Sequence, residues 1–276
     1  MWTSLAAMWI TSTPALAMES SSEISFSASY WRIGMTFEGK KHLFMPMWEK
    51  EDNPLFQNTG LKFTPKGSIN PAFGRAGLQV TASPLAILDI NAHGGYSAYF
   101  GNYQTLVGYP TADTNYGTNE VLETYVDDTG NRSEGTGWNV GGGVTLKAQA
   151  GPMIMLVNTD VTHWNVSADV EGDWFFEREQ ELMLALEGDQ VVSVNGILFY
   201  EIDKDPADAR KLRAGALVTR RHSVAAEDVL LRAGPLVQWT QGEHIVHTML
   251  SQLYLVDRTY DVSMAPFTAY VIKYIP

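Results

Sequence analysis

Residues 72–100 read AFGRAGLQVTASPLAILDINAHGGYSAYF and contain two clean alternations either side of a Ser83-Pro84 turn. In the first, Ala72, Gly74, Ala76, Leu78, Val80 and Ala82 share one parity, while Phe73, Arg75, Gly77, Gln79 and Thr81 share the other. In the second, Leu88, Ile90, Ala92, Gly94, Tyr96, Ala98 and Phe100 oppose Asp89, Asn91, His93, Gly95, Ser97 and Tyr99. Successive side chains of a strand point to opposite faces, so period-two hydrophobicity marks a two-faced strand. Two such runs across a short turn predict a β-hairpin with one apolar and one polar face.

The pattern recurs along the chain. Trp138, Val140, Gly142, Val144, Leu146 and Ala148 alternate with Asn139, Gly141, Gly143, Thr145, Lys147 and Gln149, and Gly151-Pro152 turns the chain into a strand over 153–164. Further strands are expected over 192–202, 212–219, 229–239, 245–256 and 267–275. Two regions fit less well. Near the start, Ile24, Phe26 and Ala28 face one way and Trp31, Ile33, Met35 and Phe37 the other, which a bulge near Tyr30 would reconcile. Residues 174–186 carry FFEREQELMLAL, where Glu and Arg interrupt both parities; the segment could pass as an amphipathic helix. Its place between two hairpin partners assigns it as a strand.

Composition narrows the class. Hydrophobic residues make up 45% and charged residues 18%, low in charge for a soluble protein. After Ala17 no run of about 18 apolar residues occurs, so no transmembrane helix is expected. The absence of cysteine excludes disulfides, thiolate chemistry and Cys-ligated metal. A net charge of −12 argues against a nucleic-acid partner. Residues 1–17, MWTSLAAMWITSTPALA, end in Ala15-Leu16-Ala17, the small-residue spacing of an export-signal cleavage site, although the n-region lacks a basic residue. The expected division is a leader at 1–17 and one domain at 18–276.

The polar parity carries Arg75, Asp89, Asn91, His93, Lys147, Arg213 and Arg232, the candidate lumen-facing set, with Glu201 among their partners. A soluble sandwich would place this face in water. A membrane barrel is favoured by three features: alternating short and long connections, Trp and Tyr near strand ends, and the export signal. Short connections are expected around Ser83, Gly151, Gly188 and Ala225. The fold expected is all-β, one antiparallel up-and-down transmembrane barrel. It has twelve strands, the twelfth within 40–66 or 257–264, or alternatively ten.

Export signal, paired amphipathic strands, alternating loops and the terminal Tyr270, Ile272, Tyr274 alternation together resemble Gram-negative outer-membrane β-barrel proteins as a class. Pro276 and the displaced aromatic depart from the class, whose members usually end in an aromatic residue. The resemblance implies an outer-membrane location, with membrane lipids and the barrel-assembly machinery as partners.

Enzymes resembling that class use Ser-His-Asn, His-x-Ser or Asp-and-His sets, and the chain supplies little to match. His222-Ser223 are strand neighbours and face oppositely. His93, Ser97 and Asp89 share a face, but successive same-face residues lie roughly 7 Å apart, beyond a direct hydrogen bond. His244 and His247 differ in parity. No metal site and no cofactor is expected. Glu120, Glu123, Asp127 and Asp128, in an acidic loop, are a possible cation site without EF-hand spacing.

The expected function is therefore non-enzymatic: a pore for small solutes or cations, or a structural envelope component. The alternatives are a lipid-modifying envelope enzyme and a soluble periplasmic ligand binder. The long segments 39–70 and 102–137 are both expected at the end opposite the Pro84 and Pro152 turns, outside the cell.

Overall fold

The computed structural model describes residues 18–276 except 31–33, 51, 104, 115–118, 178, 204–211 and 258–265, so the expected leader lies outside the described residues. The alternating segments form twelve long strands. The first five are β1 (Glu19–Tyr30), β2 (Gly34–Pro46), β3 (Gly60–Ile69), β4 (Phe73–Leu85) and β5 (Leu88–Tyr99). After a two-residue strand β6 (Gly108–Tyr109) and a helix α1 (Asn119–Thr129) come β7 (Gly135–Ala150) and β8 (Met153–Ala168). Two short strands follow, β9 (Trp174–Glu177) and β10 (Leu182–Ala185). The wall then resumes with β11 (Asp189–Asp203), β12 (Leu212–Ser223), β13 (Val229–Gln241), β14 (Ile245–Asp257) and β15 (Phe267–Tyr274).

Every long strand pairs antiparallel with its neighbours, and β1 pairs with β15 from Ile24↔Tyr274 to Tyr30↔Thr268, closing a single twelve-stranded barrel. Closure satisfies every wall strand on both sides and leaves no sheet edge. The decisive hairpin forms as read: Gln79 pairs with His93 and Ala76 with Tyr96. The β7–β8 turn depends on Gly151, whose φ of +58° favours glycine.

The outer face is apolar and bare. Leu78, Ile90, Val140, Leu146, Val161, Leu198, Val218 and Met249 are all exposed along the strands. A continuous apolar belt of this extent is far larger than soluble monomers tolerate and suits lipid contact. Aromatics flank it: Tyr96 and Trp138 sit opposite one another toward one end, and Tyr200, Trp239 and Tyr274 lie toward the other. Among the described residues no helix is long and apolar enough to cross a membrane.

Four expectations are corrected. The parity change near Tyr30 is a chain reversal: Ser29 pairs with Gly34, so two strands stand where one bulged strand was expected. One expectation holds beside it: the strand Gly60–Ile69 lies within and just beyond the 40–66 region given for the twelfth. Residues 47–59, with their 3₁₀ turn Pro54–Phe56, join β2 to β3 at the same end as the Pro84 and Pro152 turns, and Leu55 O accepts from Ala86 N. This end, called the lower rim here, also holds the start of β1 and the finish of β15. The turn around Ala225 and the segment ending at Gly188 lie at the opposite, upper rim. Finally, residues 174–186 are not a wall strand. With β6 they make a separate three-stranded sheet, ordered β10–β9–β6.

Candidate functional site: a hairpin clamped in the lumen

The β9–β10 hairpin fails to alternate because both of its faces are covered. Phe175, Leu182 and Leu184 pack against Phe73, Tyr99, Trp164, Val166, Val191, Leu230 and Tyr254 on the upper wall, while Phe176 and Met183 join Val107, Tyr109 and Ala226 beyond. Leu182, Met183 and Leu184 are wholly buried. The hairpin therefore sits inside the upper barrel, and α1 lies over it, with Tyr125 stacked on Tyr109 at 5.0 Å and donating to Gly108 O at 3.2 Å.

The hairpin tip carries Glu177, Glu179 and Glu181, and three wall arginines receive it. Arg75 on β4 pairs with Glu177 and Glu179, donates to Ser97 Oγ at 3.0 Å, and lies over the Phe73 and Trp164 rings at 4.1 and 5.0 Å. Arg232 on β13 pairs with Glu181 at 2.8 Å and covers Phe267 at 4.1 Å. Arg221 on β12 donates to the carbonyls of Glu179 and Gln180 at 2.7 and 2.9 Å. Tyr99 donates to Glu177 and Tyr254 to Glu181. Two buried rim carboxylates hold the hairpin backbone: Asp228 accepts from Met183 N at 2.8 Å and Asp189 from Ala185 N at 3.2 Å. Charges removed from water cost several kcal/mol each unless paired, so this cluster is a latch whose members depend on one another.

Below the latch the lumen is polar and several of its charges are paired across strands. Lys147 donates to Asp89 at 2.8 Å, and Ser83 Oγ donates to the same carboxylate at 2.7 Å. Arg213 donates twice to Glu201 Oε1, at 3.0 and 2.8 Å, and once to Gln238. His93 contacts Asn91 Oδ1 at 3.3 Å and Thr162 Oγ1 at 3.1 Å, with Asp160 3.6 Å from Nδ1. Opposite His93, β7 carries Gly141: a Cβ there would come within 2.8 Å of both His93 Nε2 and Thr162 Oγ1. Glu23 gathers Lys40 and Lys273 at 3.6 and 3.1 Å.

Of the candidate lumen residues, the structure brings Arg75 and Arg232 to the latch and leaves Asp89, Lys147, Asn91, His93 and Arg213 in separate networks beneath. His93, Ser97 and Asp89 do not assemble, since Ser97 belongs to Arg75 and Asp89 to Lys147. Ser223 is buried and donates to Asp189 at 2.5 Å, on the face opposite His222. Glu120, Glu123, Asp127 and Asp128 lie on helix α1 and not in an irregular loop; Glu123, Asp127 and Asp128 are exposed on it. Among the described residues no group of three or more His, Asp or Glu side chains is placed to hold a metal ion. The sequence reading missed Glu177, Glu179, Glu181 and Arg221. Their signal was the run of acids at every second position inside an otherwise apolar segment.

No protein-family model matches the chain, and no curated protein matches it. Solved structures do. The chain resembles outer-membrane β-barrels as a class. A KdgM porin is similar over 91% of this chain and 98% of its own, at 5% identity and a TM-score of 0.41. A NanC porin is similar over 91% and 97%, at 8% identity and 0.43. The Vibrio cholerae outer membrane protein OmpT is similar over 94% and 99%, at 12% identity and 0.37. The likeness is one of fold alone, and the closure and the latch stand on this chain's own geometry.

Proposed function

We propose that the protein is an outer-membrane pore for small solutes, narrowed at its upper end by the latched β9–β10 hairpin. The observation that carries this reading is the inversion of faces: a bare apolar exterior around a polar interior that the hairpin obstructs at one end. Filling a small barrel with side chains alone would need neither a separate hairpin nor three arginines to seat it. In the usual orientation of such barrels both termini face the periplasm, which puts the lower rim inside and the hairpin with α1 outside. The lumen networks hold the wall residues in place. A permanently closed structural barrel is the second reading, favoured by the burial of Glu177, Glu181 and Arg232. Planar-bilayer recording of the refolded protein separates the two. Discrete conductance steps support the pore, and silence supports the closed barrel.

A further inference from the structure

We propose that solutes pass the hairpin on one side only, through a conduit along the inner face of β1 that takes small uncharged hydroxylated molecules. This rests on the pore reading. The latch contacts fall on β4, β5, β12, β13 and β14, together with the rim acids Asp189 and Asp228. They draw the hairpin toward one arc of the wall. On the other arc lies a cavity of about 470 Å³, and a second of about 340 Å³ runs from β1 and β15 against the latch to Asn195, Leu217 and Gln252 on β11, β12 and β14. Each is far larger than the roughly 30 Å³ a water occupies in the liquid. The two share Ser27, Ser29 and Phe267, so they run into each other along β1. The larger reaches Asn70 and Pro71 at the upper rim and borders Glu179 and Glu181; the smaller reaches Asn195 and Leu217 and borders Arg221 and Arg232. Together they lead from the rim past the hairpin into the lumen.

The lining sets the class of solute. Ser25, Ser27, Ser29, Thr36 and Ser68 present hydroxyls, while Val271, Ala269 and Phe267 present an apolar flank. Most charged groups alongside are paired: Arg232 with Glu181, Glu179 with Arg75, and Glu38 with Lys40 at 2.5 Å; Arg221 is held by the carbonyls of Glu179 and Gln180, and the latch as a whole sets three arginines against three glutamates. A passage with hydroxyls on one side, carbon on the other and no net excess of charge suits an uncharged polyol or sugar ring, which offers both kinds of surface. It gives an ion little reason to shed water.

The chain has no cysteine, so Ser27→Cys introduces a single thiol. The test treats this variant in bilayers with an uncharged hydroxyethyl methanethiosulfonate reagent, and follows uptake of an uncharged pentose by liposome swelling. Labelling of Ser27→Cys should lower both conductance and pentose entry severalfold. Ala76→Cys is the control: Ala76 is exposed on the outer face of β4, on the latched arc, and its thiol should neither label from the lumen nor change conductance. A conducting Ser27→Cys protein that fails to label, or that labels without losing conductance, overturns the conduit and leaves the pore standing. Equal block at Ala76→Cys overturns it too. If the unmodified protein is silent, the pore reading falls and the conduit with it.

Discussion

One nitrogen of Arg232, Nη1, reaches both carboxylate oxygens of Glu181, at 2.8 and 3.0 Å, and the two side chains are 5% and 6% exposed. The residues are 51 positions apart in sequence, one in the wall and one at the tip of the inserted hairpin. Removing one partner of such a pair leaves a buried charge alone, at a cost of about 3–5 kcal/mol. Arg232→Ala should therefore eject or loosen the hairpin, raising single-channel conductance and lowering the temperature of the heat-induced gel shift. The joint change Arg232→Met with Glu181→Leu should recover most of the lost stability. Equal losses in the single and double variants would show that the two side chains are not coupled.

Arg75 holds the hairpin from the other side, between the Phe73 and Trp164 rings and against Glu177 and Glu179. Arg75→Ala should also raise conductance, because it strands Glu177, itself 1% exposed. Arg75→Lys should rescue little: an ammonium cannot pair with two carboxylates and lie flat on two rings at once. Full rescue by lysine would reduce the latch to simple charge neutralisation.

The belt outside the barrel makes a separate demand. Leu78 is 49% exposed near the middle of β4. If that face meets lipid, Leu78→Arg should cost about 2–4 kcal/mol of stability in urea titrations of vesicle-inserted protein. The same change at Leu55, in the lower-rim turn, should be close to neutral. A tolerated Leu78→Arg would place the face in water.

Orientation is open to a protease. Glu123 is exposed on α1 at the upper rim. On intact cells an external protease that cleaves after glutamate should cut within 102–137. The lower-rim connection 47–59, which carries Glu49, should be spared until the envelope is breached. Cleavage at Glu49 first would mean the barrel is inserted the other way up.

The barrel wall was legible because an apolar exterior and a polar interior impose opposite demands on adjacent residues, and 72–100, 138–149 and 229–239 record that conflict residue by residue. Parity alone gives an inward direction for Arg75, Lys147, Arg213 and Arg232 as an expectation, and the structure gives each an acid partner: Glu177, Asp89, Glu201 and Glu181. Parity says which way a side chain faces and nothing about what meets it there. Glu177 lies 102 positions from Arg75, and no local pattern encodes that distance.

Sequence by itself thus determined antiparallel strands with one apolar and one charged face, since period two is a local property of each strand. Only the tertiary structure decided that Gly34–Pro46 is a strand of its own, that 47–59 turns at the lower rim, and that 174–186 leaves the wall to enter the lumen. The last follows from burial on both faces. Phe175, Phe176, Leu182, Met183 and Leu184 cannot alternate, because each side of the hairpin is dry once the barrel surrounds it. That dryness exists only after the twelve strands have closed.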